Sequence, residues 1–139
     1  MQNNGPIIIV DDDREDLELY KTVLKSLGVR NEILLFEEPS EFLKFMHKSN
    51  EKVFLILCDI NMPQMDGFEL RHELNLNPSL ASKAIPFLFF STSGNINHIS
   101  KAYQSSIQGY FLKPSTLEEI SKMFRCIVDY WDLSSHPTL

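Results

Sequence analysis

Residues 53–67, which read VFLILCDINMPQMDG, decide the fold of this chain. Six uncharged residues, from Val53 to Cys58, end in the carboxylate of Asp59. A short run rich in branched and aromatic side chains predicts a strand buried on both faces, and the Asn, Pro and Asp-Gly residues after it predict a turn. We therefore expect Asp59 at the carboxyl end of a central strand, the edge where open α/β sheets keep their ligand sites.

Similar apolar runs alternate with helical patterns along the rest of the chain. Strands are predicted at residues 6–10, 31–36, 53–59, 85–90 and 109–112. Helices are predicted at residues 14–27, from Pro39, at about 68–74, at 96–103, and after a capping-box motif at Ser115-Thr116-Leu117-Glu118. Residues 75–83 have the composition of a polar loop. Five β-α repeats predict a parallel sheet with helices on both faces, joined by right-handed crossovers.

The composition is that of a globular domain without a strongly basic surface. The chain has 139 residues and a formal net charge of −6, which argues against direct binding of nucleic acid. No stretch has the length of a membrane span or the pattern of a signal peptide, and neither Cys58 nor Cys126 lies in a metal-ligand spacing. We expect one cytoplasmic domain over residues 1–139, with its core at 6–132 and a frayed tail at 133–139.

Chemically active side chains follow four of the predicted strands. They are Asp11, Asp12 and Asp13, then Asp59, then Ser91 and Thr92, and finally Lys113. Because parallel strands end at the same edge of a sheet, these side chains should share one pocket. Several carboxylates held together repel one another, and oxygen ligands of this kind suit Mg²⁺. Asp59 could then act as a carboxylate nucleophile toward phosphorus, with Lys113 and Ser91 stabilising the phosphoryl oxygens. Asp13 is expected to cap the first helix.

The sequence resembles the receiver domain of two-component response regulators over about residues 7–131. The matching residues are Val10-Asp11-Asp12, Asp59 with Asn61-Met62-Pro63 and Met65-Asp66-Gly67, Ser91, and Tyr110 with Lys113-Pro114. The resemblance implies a flavodoxin-like α/β/α fold in which five helices flank a five-stranded sheet of order 2-1-3-4-5. Thr92 departs from the family, which usually has Ala at that position.

The resemblance also implies roles for individual residues. Asp59 would accept a phosphoryl group from a histidine kinase or a phosphotransfer protein. Mg²⁺ would be held by Asp12 and Asp59, by the backbone carbonyl of Asn61 and, through water, by Asp11. Lys113 and Ser91 would bind the phosphoryl group, with Thr92 as an added hydroxyl, and Tyr110 would turn inward when Ser91 moves. The Lys113–Pro114 peptide would be cis.

The function predicted from these residues is that of a single-domain phosphorylation switch rather than an enzyme. It would catalyse its own phosphotransfer, lose the phosphoryl group slowly and bind a downstream protein, with homodimers possible. The responding surface would be the helix after the fourth strand, the fifth strand and the last helix, including Tyr103 and Tyr110. A phospho-independent interaction module is one alternative. A Mg²⁺-dependent phosphohydrolase is another, but Asn61 stands where its acid/base carboxylate would be needed.

Overall fold

The computed structural model describes residues 4–135. The strands are β1 (Ile7–Val10), β2 (Ile33–Phe36), β3 (Leu55–Cys58), β4 (Phe87–Ser91) and β5 (Gly109–Leu112). The helices are α1 (Arg14–Ser26), α2 (Pro39–Lys48), α3 (Gly67–Asn75), α4 (Pro78–Ser82), α5 (Ile96–Gln104) and α6 (Leu117–Leu133). None of the helices within residues 4–135 has the length and apolar character needed to cross a membrane.

The strands form one parallel sheet in the order β2-β1-β3-β4-β5, which confirms the predicted flavodoxin-like architecture. Its central strand β3 is buried over its whole length, as the uncharged run before Asp59 predicts. Val10 of β1 pairs with Cys58 of β3. The residues that follow these two strands, Asp11 and Asp59, therefore leave the sheet side by side.

Alternating strand residues divide the core between the two faces of the sheet. Ile8, Ile56 and Phe89 pack in one cluster with side chains from α2, α3, α4 and α5. Ile9 and Leu57 pack in the other cluster with side chains from α1 and α6. Both faces of the strands are thus covered by apolar side chains, which explains why their sequences are apolar without alternation.

Two predictions about helices are corrected. Residues 75–83 contain the short helix α4, capped by Asn77, whose side chain accepts hydrogen bonds from the amides of Ser79 and Leu80. The described chain therefore has six helices rather than five. The last helix is capped by Thr116 rather than Ser115, because the Thr116 hydroxyl accepts from the Glu119 amide. This helix ends at Leu133. Residues 136–139 of the predicted tail lie outside the described residues.

The predicted cis peptide is also wrong. Among residues 4–135 every peptide bond is trans, including the bond between Lys113 and Pro114. The trans form is the intrinsically favoured one even before proline, by about 0.5–1 kcal/mol.

Helix α5 ends in a strained residue that offers a simple stability test. Ser106 follows the C-cap residue Ser105 and has a φ of 62°, in the left-handed region that favours glycine. We expect Ser106→Gly to raise the free energy of unfolding by about 0.5–1 kcal/mol, since it removes this strain. The matched control is Ser105→Gly, where φ is −85° and the same change should be destabilising. Urea denaturation of both variants measures the difference, and a loss of stability in Ser106→Gly would contradict the prediction.

Candidate functional site

Three carboxylates meet where β1 and β3 end. Asp11, Asp12 and Asp59 each place one carboxylate oxygen within 4.8 Å of the others. Asp59 is held there by the sheet, because its amide donates to the Val10 carbonyl at 2.9 Å. Asp11 is buried, Asp59 is half-buried and Asp12 is exposed. The group is therefore open to solvent on the side of Asp12.

Local hydrogen bonds orient these carboxylates. Asp11 Oδ1 accepts from the amide of Asp13 at 2.9 Å, and Asp59 Oδ1 accepts from the amide of Ile60 at 2.9 Å. Asp13 instead caps α1, where its carboxylate accepts from the amides of Glu15 and Asp16, as predicted. Adjacent acids therefore have different tasks, and only two of the three consecutive Asp residues join the carboxylate group.

The turn after Asp59 is tight and depends on Gly67. The Gly67 amide donates to the Ile60 carbonyl at 2.8 Å, which folds the loop back onto the end of β3. A Cβ at this position would lie 2.7 Å from the backbone oxygen of Asp59 and 2.9 Å from the ring of Phe89. Asp66 caps the helix that follows, in a capping box with Glu69. The glycine thus allows α3 to begin directly against the backbone of Asp59.

One ammonium group lies among the carboxylates. Lys113, which follows β5, places Nζ 3.0 Å from Asp11 Oδ2, 3.6 Å from Asp59 Oδ1 and 3.7 Å from Asp16 Oδ2. The amide of Lys113 donates to the Ser91 carbonyl at 2.8 Å, which fixes its backbone to the end of β4. The site therefore contains more negative than positive charge.

Aromatic rings from α1 and β4 line the other side of the lysine. The Lys113 ammonium lies 6.0 Å from the ring centre of Tyr20 and 5.9 Å from that of Phe90. These two rings pack edge to face, with their centres 5.2 Å apart. The rings restrict the lysine side chain and favour its cation, so they help to keep the ammonium beside the carboxylates.

Burial dominates the electrostatics of the carboxyl groups. It raises the pKa of Asp59 to about 6, with the charge of Asp11 adding to the rise and Lys113 opposing it. Burial also raises the pKa of Asp11, against the opposing effects of the Asp13 amide and Lys113. Burial alone would lower the pKa of Lys113, but Asp11 and Asp59 raise it above its ordinary value. Without a further cation, the site thus resists full ionisation of its carboxyl groups.

The predicted hydroxyl groups lie at the end of β4, but they differ in exposure. Ser91 is buried and its hydroxyl accepts from the amide of Ser93 at 3.2 Å, whereas Thr92 is exposed. Tyr110 is half-buried, and its hydroxyl donates to the Ser93 carbonyl at 2.7 Å. Ser91 and Tyr110 are therefore linked through the backbone of Ser93. Asn61 lies exposed in the loop after β3.

Two contributors to the site, Asp16 and Tyr20, were missed at the level of sequence. Both were assigned only to the first helix, although each contacts the lysine. A spacing of four residues places them on the same side of α1, and Tyr20 lies on its buried face. The sequence pattern that could have indicated this role is an acidic residue one helical turn before a buried tyrosine.

The donor set fits a hard divalent cation. The three carboxylates supply only oxygen atoms, their negative charge exceeds that of the single ammonium, and Asp12 leaves one side open to solvent. Ions such as Mg²⁺ and Mn²⁺ favour oxygen ligands and retain water molecules. Asp11, Asp12 and Asp59 are therefore the residues that could hold such an ion.

Comparison with known proteins assigns the family. The sequence model of the response regulator receiver domain family matches residues 7–125, so the chain belongs to this family of signalling domains. Response regulator Rcp1 of Synechocystis sp. is 29% identical over 137 residues, a match that covers 94% of this chain and 92% of Rcp1. The transcriptional regulatory protein ZraR of Klebsiella oxytoca is also 29% identical, but the match covers only 28% of that protein.

Solved structures agree with this assignment. The phosphorylated cyanobacterial phytochrome response regulator RcpA has a TM-score of 0.83 at 26% identity, over 96% of this chain and 98% of that one. The Mn²⁺-bound form of Rcp1 has a TM-score of 0.81 at 27% identity, over 96% of this chain and 99% of that one. The chain is thus similar over nearly its whole length to a regulator described as phosphorylated and to one described with a bound divalent cation.

Proposed function

We propose that this chain is a phosphorylation switch in two-component signal transduction, with Asp59 as the phosphoryl acceptor. The observation that carries the proposal is the position of the Asp59 carboxylate, beside two further carboxylates and 3.6 Å from the Lys113 ammonium. A carboxylate nucleophile next to a fixed cation has the arrangement that phosphoryl transfer requires. The description of RcpA as phosphorylated supports this assignment.

The proposed step transfers a phosphoryl group from a phosphohistidine of a kinase or phosphotransfer protein. An oxygen of Asp59 forms a bond to phosphorus, the bond between phosphorus and the imidazole nitrogen breaks, and the imidazole keeps the electron pair and takes up a proton. Lys113 pairs with the phosphoryl oxygens, and Ser91 and Thr92 are the nearby hydroxyl donors. The product is an acyl phosphate on Asp59.

Asp11, Asp12 and Asp59, with the backbone carbonyl of Asn61, are the proposed ligands of a Mg²⁺ ion. When bound, the ion would offset the negative charge of the carboxylates and stabilise the charge on the phosphoryl oxygens. The description of Rcp1 with bound Mn²⁺ supports a divalent cation as a ligand of this chain. The chain's own residues contribute the nucleophile, the ammonium and the hydroxyl groups.

The response to phosphorylation is proposed to begin at Ser91. The modification replaces the single charge of the Asp59 carboxylate with about two negative charges on the phosphoryl group, and it brings new acceptor oxygens toward the Lys113 ammonium and the Ser91 hydroxyl. If the Ser91 hydroxyl turns to the phosphoryl group, it gives up its bond to the Ser93 amide, and Ser93 also holds Tyr110. The surface formed by α5, β5 and α6, which carries the half-exposed Tyr103, would then change its affinity for a protein partner.

Incubation with acetyl phosphate and Mg²⁺, followed by intact-mass spectrometry, tests the proposal. The wild-type chain should gain the mass of one phosphoryl group, and Asp59→Asn should gain none. Asp66→Asn is the matched control, because it makes the same chemical change in the same loop and Asn can still cap α3. A chelator should abolish the adduct. An adduct that persists in Asp59→Asn would contradict the assignment, and continuous turnover of phosphate esters would indicate a phosphohydrolase.

A further inference from the structure

We propose that Asp16 discriminates among phosphoryl donors by their charge: its negative charge slows transfer from small dianionic donors more than from singly charged ones. The inference rests on the proposed role of Asp59. Asp16 lies in the first turn of α1 and is not one of the three carboxylates that could hold a metal ion. It contacts the site through the Lys113 ammonium.

The charge around Lys113 is unbalanced. A single ammonium contacts three carboxylates, and Asp16 Oδ2 is the most distant of them at 3.7 Å. Asp11, at 3.0 Å, is the nearest partner and is almost completely buried. Within residues 4–135, Lys113 is the only cation that forms an ion pair with Asp16. The charge of Asp16 is therefore only partly offset.

Asp16 lies close to the proposed nucleophile, Asp59. Asp16 and Asp59 each approach the same nitrogen within 3.7 Å, so their carboxylates lie closer together than the Debye length of about 10 Å at 0.1 M salt. The Asp16 side chain is 37% exposed, against 11% for Asp59, so its field extends into the solvent beside the site. An anionic donor that approaches Asp59 must enter this field.

Phosphoryl donors differ in the charge that they bring into this field. A small donor such as acetyl phosphate has few contacts with which to offset repulsion, and its two negative charges double the Coulomb cost of a single charge. Asp16 also competes with the phosphoryl oxygens for the Lys113 ammonium. Both effects slow a dianionic donor more than a singly charged one.

The test compares two small donors in the full chain with Mg²⁺ at pH 7 and low salt. With acetyl phosphate, a dianion, the bond from Asp59 oxygen to phosphorus forms and acetate leaves with the electron pair of the broken bond. We expect Asp16→Asn to increase this rate about fivefold and to increase the rate with singly charged phosphoramidate only about twofold, because halving the donor's charge halves the Coulomb energy. At 0.5 M salt, the ratio of the Asp16→Asn rate to the wild-type rate should approach one for both donors.

Two variants separate charge from structure. Asp16→Glu keeps the charge and should retain the wild-type rates, whereas the neighbouring Glu15→Gln removes an equal charge from an exposed residue of the same helical turn and should change them little. Equal gains with both donors, gains independent of salt, or a fast Asp16→Glu would overturn the inference. If wild type is labelled at Asp59 but Asp16→Asn is no faster, the inference fails and the proposed function stands. If neither is labelled, both fail.

Discussion

Asp59→Asn is expected to raise the free energy of unfolding by about 2–3 kcal/mol at pH 8 in a chelating buffer. The reason is that burial raises the pKa of Asp59 to about 6, against an ordinary value of 3.8. In the pH range between these values the folded chain binds more protons than the unfolded chain, so stability falls as the pH rises. The asparagine amide carries no charge to bury, and its oxygen can still accept from the Ile60 amide.

The pH dependence of this gain is its most specific feature. It should be small at pH 4, grow as the pH rises from the ordinary pKa of 3.8 to the folded-state pKa of about 6, and stay constant above about pH 7. Urea denaturation of wild type and Asp59→Asn at several pH values measures it, with Asp66→Asn as the matched control. A gain that is the same at pH 4 and pH 8 would show that relief of charge repulsion is not the cause.

Lys113→Met is expected to have the opposite effect and to lower the free energy of unfolding by about 3 kcal/mol under the same conditions. Methionine keeps an unbranched chain against Tyr20 and Phe90 but leaves the carboxylates of Asp11 and Asp59 without their cation. Because the pKa of Lys113 is raised, its charge is present at every pH below about 10, and its own titration has no effect between pH 4 and 8. The loss should shrink toward pH 4 as the two carboxyl groups take up protons.

Divalent cations and a second substitution test the cause of this loss. Mg²⁺ should raise the unfolding midpoint more in Lys113→Met than in wild type, because the ion would meet an uncompensated cluster of carboxylates. The double variant Lys113→Met with Asp59→Asn should be more stable than the sum of the two separate changes predicts, because one of the buried charges left without a cation is then absent. The exposed Lys122→Met on α6 should change stability by less than about 0.5 kcal/mol. An equal loss in Lys122→Met would contradict the assignment to the site.

The strand ends were the predictable part of this molecule. The apolar run before Asp59 specifies a buried central strand, and a parallel sheet brings its carboxyl end to those of β1, β4 and β5. Asp11, Asp59 and Lys113 are therefore predicted to lie together, and the structure confirms their contacts. The chemical roles of these residues, including the roles predicted for Ser91 and Thr92, remain predictions that the labelling experiment tests.

The remaining differences arise where neighbouring residues offer equivalent local signals. Ser115 and Thr116 are each followed three residues later by a glutamate, so either could begin the last helix. Thr116 does so in the register that buries Ile120, Phe124 and Ile127 against the sheet, which is a tertiary effect. Asp16 was missed for a similar reason, since its role depends on a lysine that is distant in sequence.

The bonds made by Ser93 bear on how far a signal would have to travel. Its amide is bound by the Ser91 hydroxyl and its carbonyl by the Tyr110 hydroxyl, at 3.2 Å and 2.7 Å. A disturbance at the acyl phosphate could therefore reach the outer surface through a single residue, without breaking any strand pairing. We expect this conformational change to take microseconds to milliseconds. The duration of the active state would then depend on the lifetime of the acyl phosphate rather than on the rate of the protein's rearrangement.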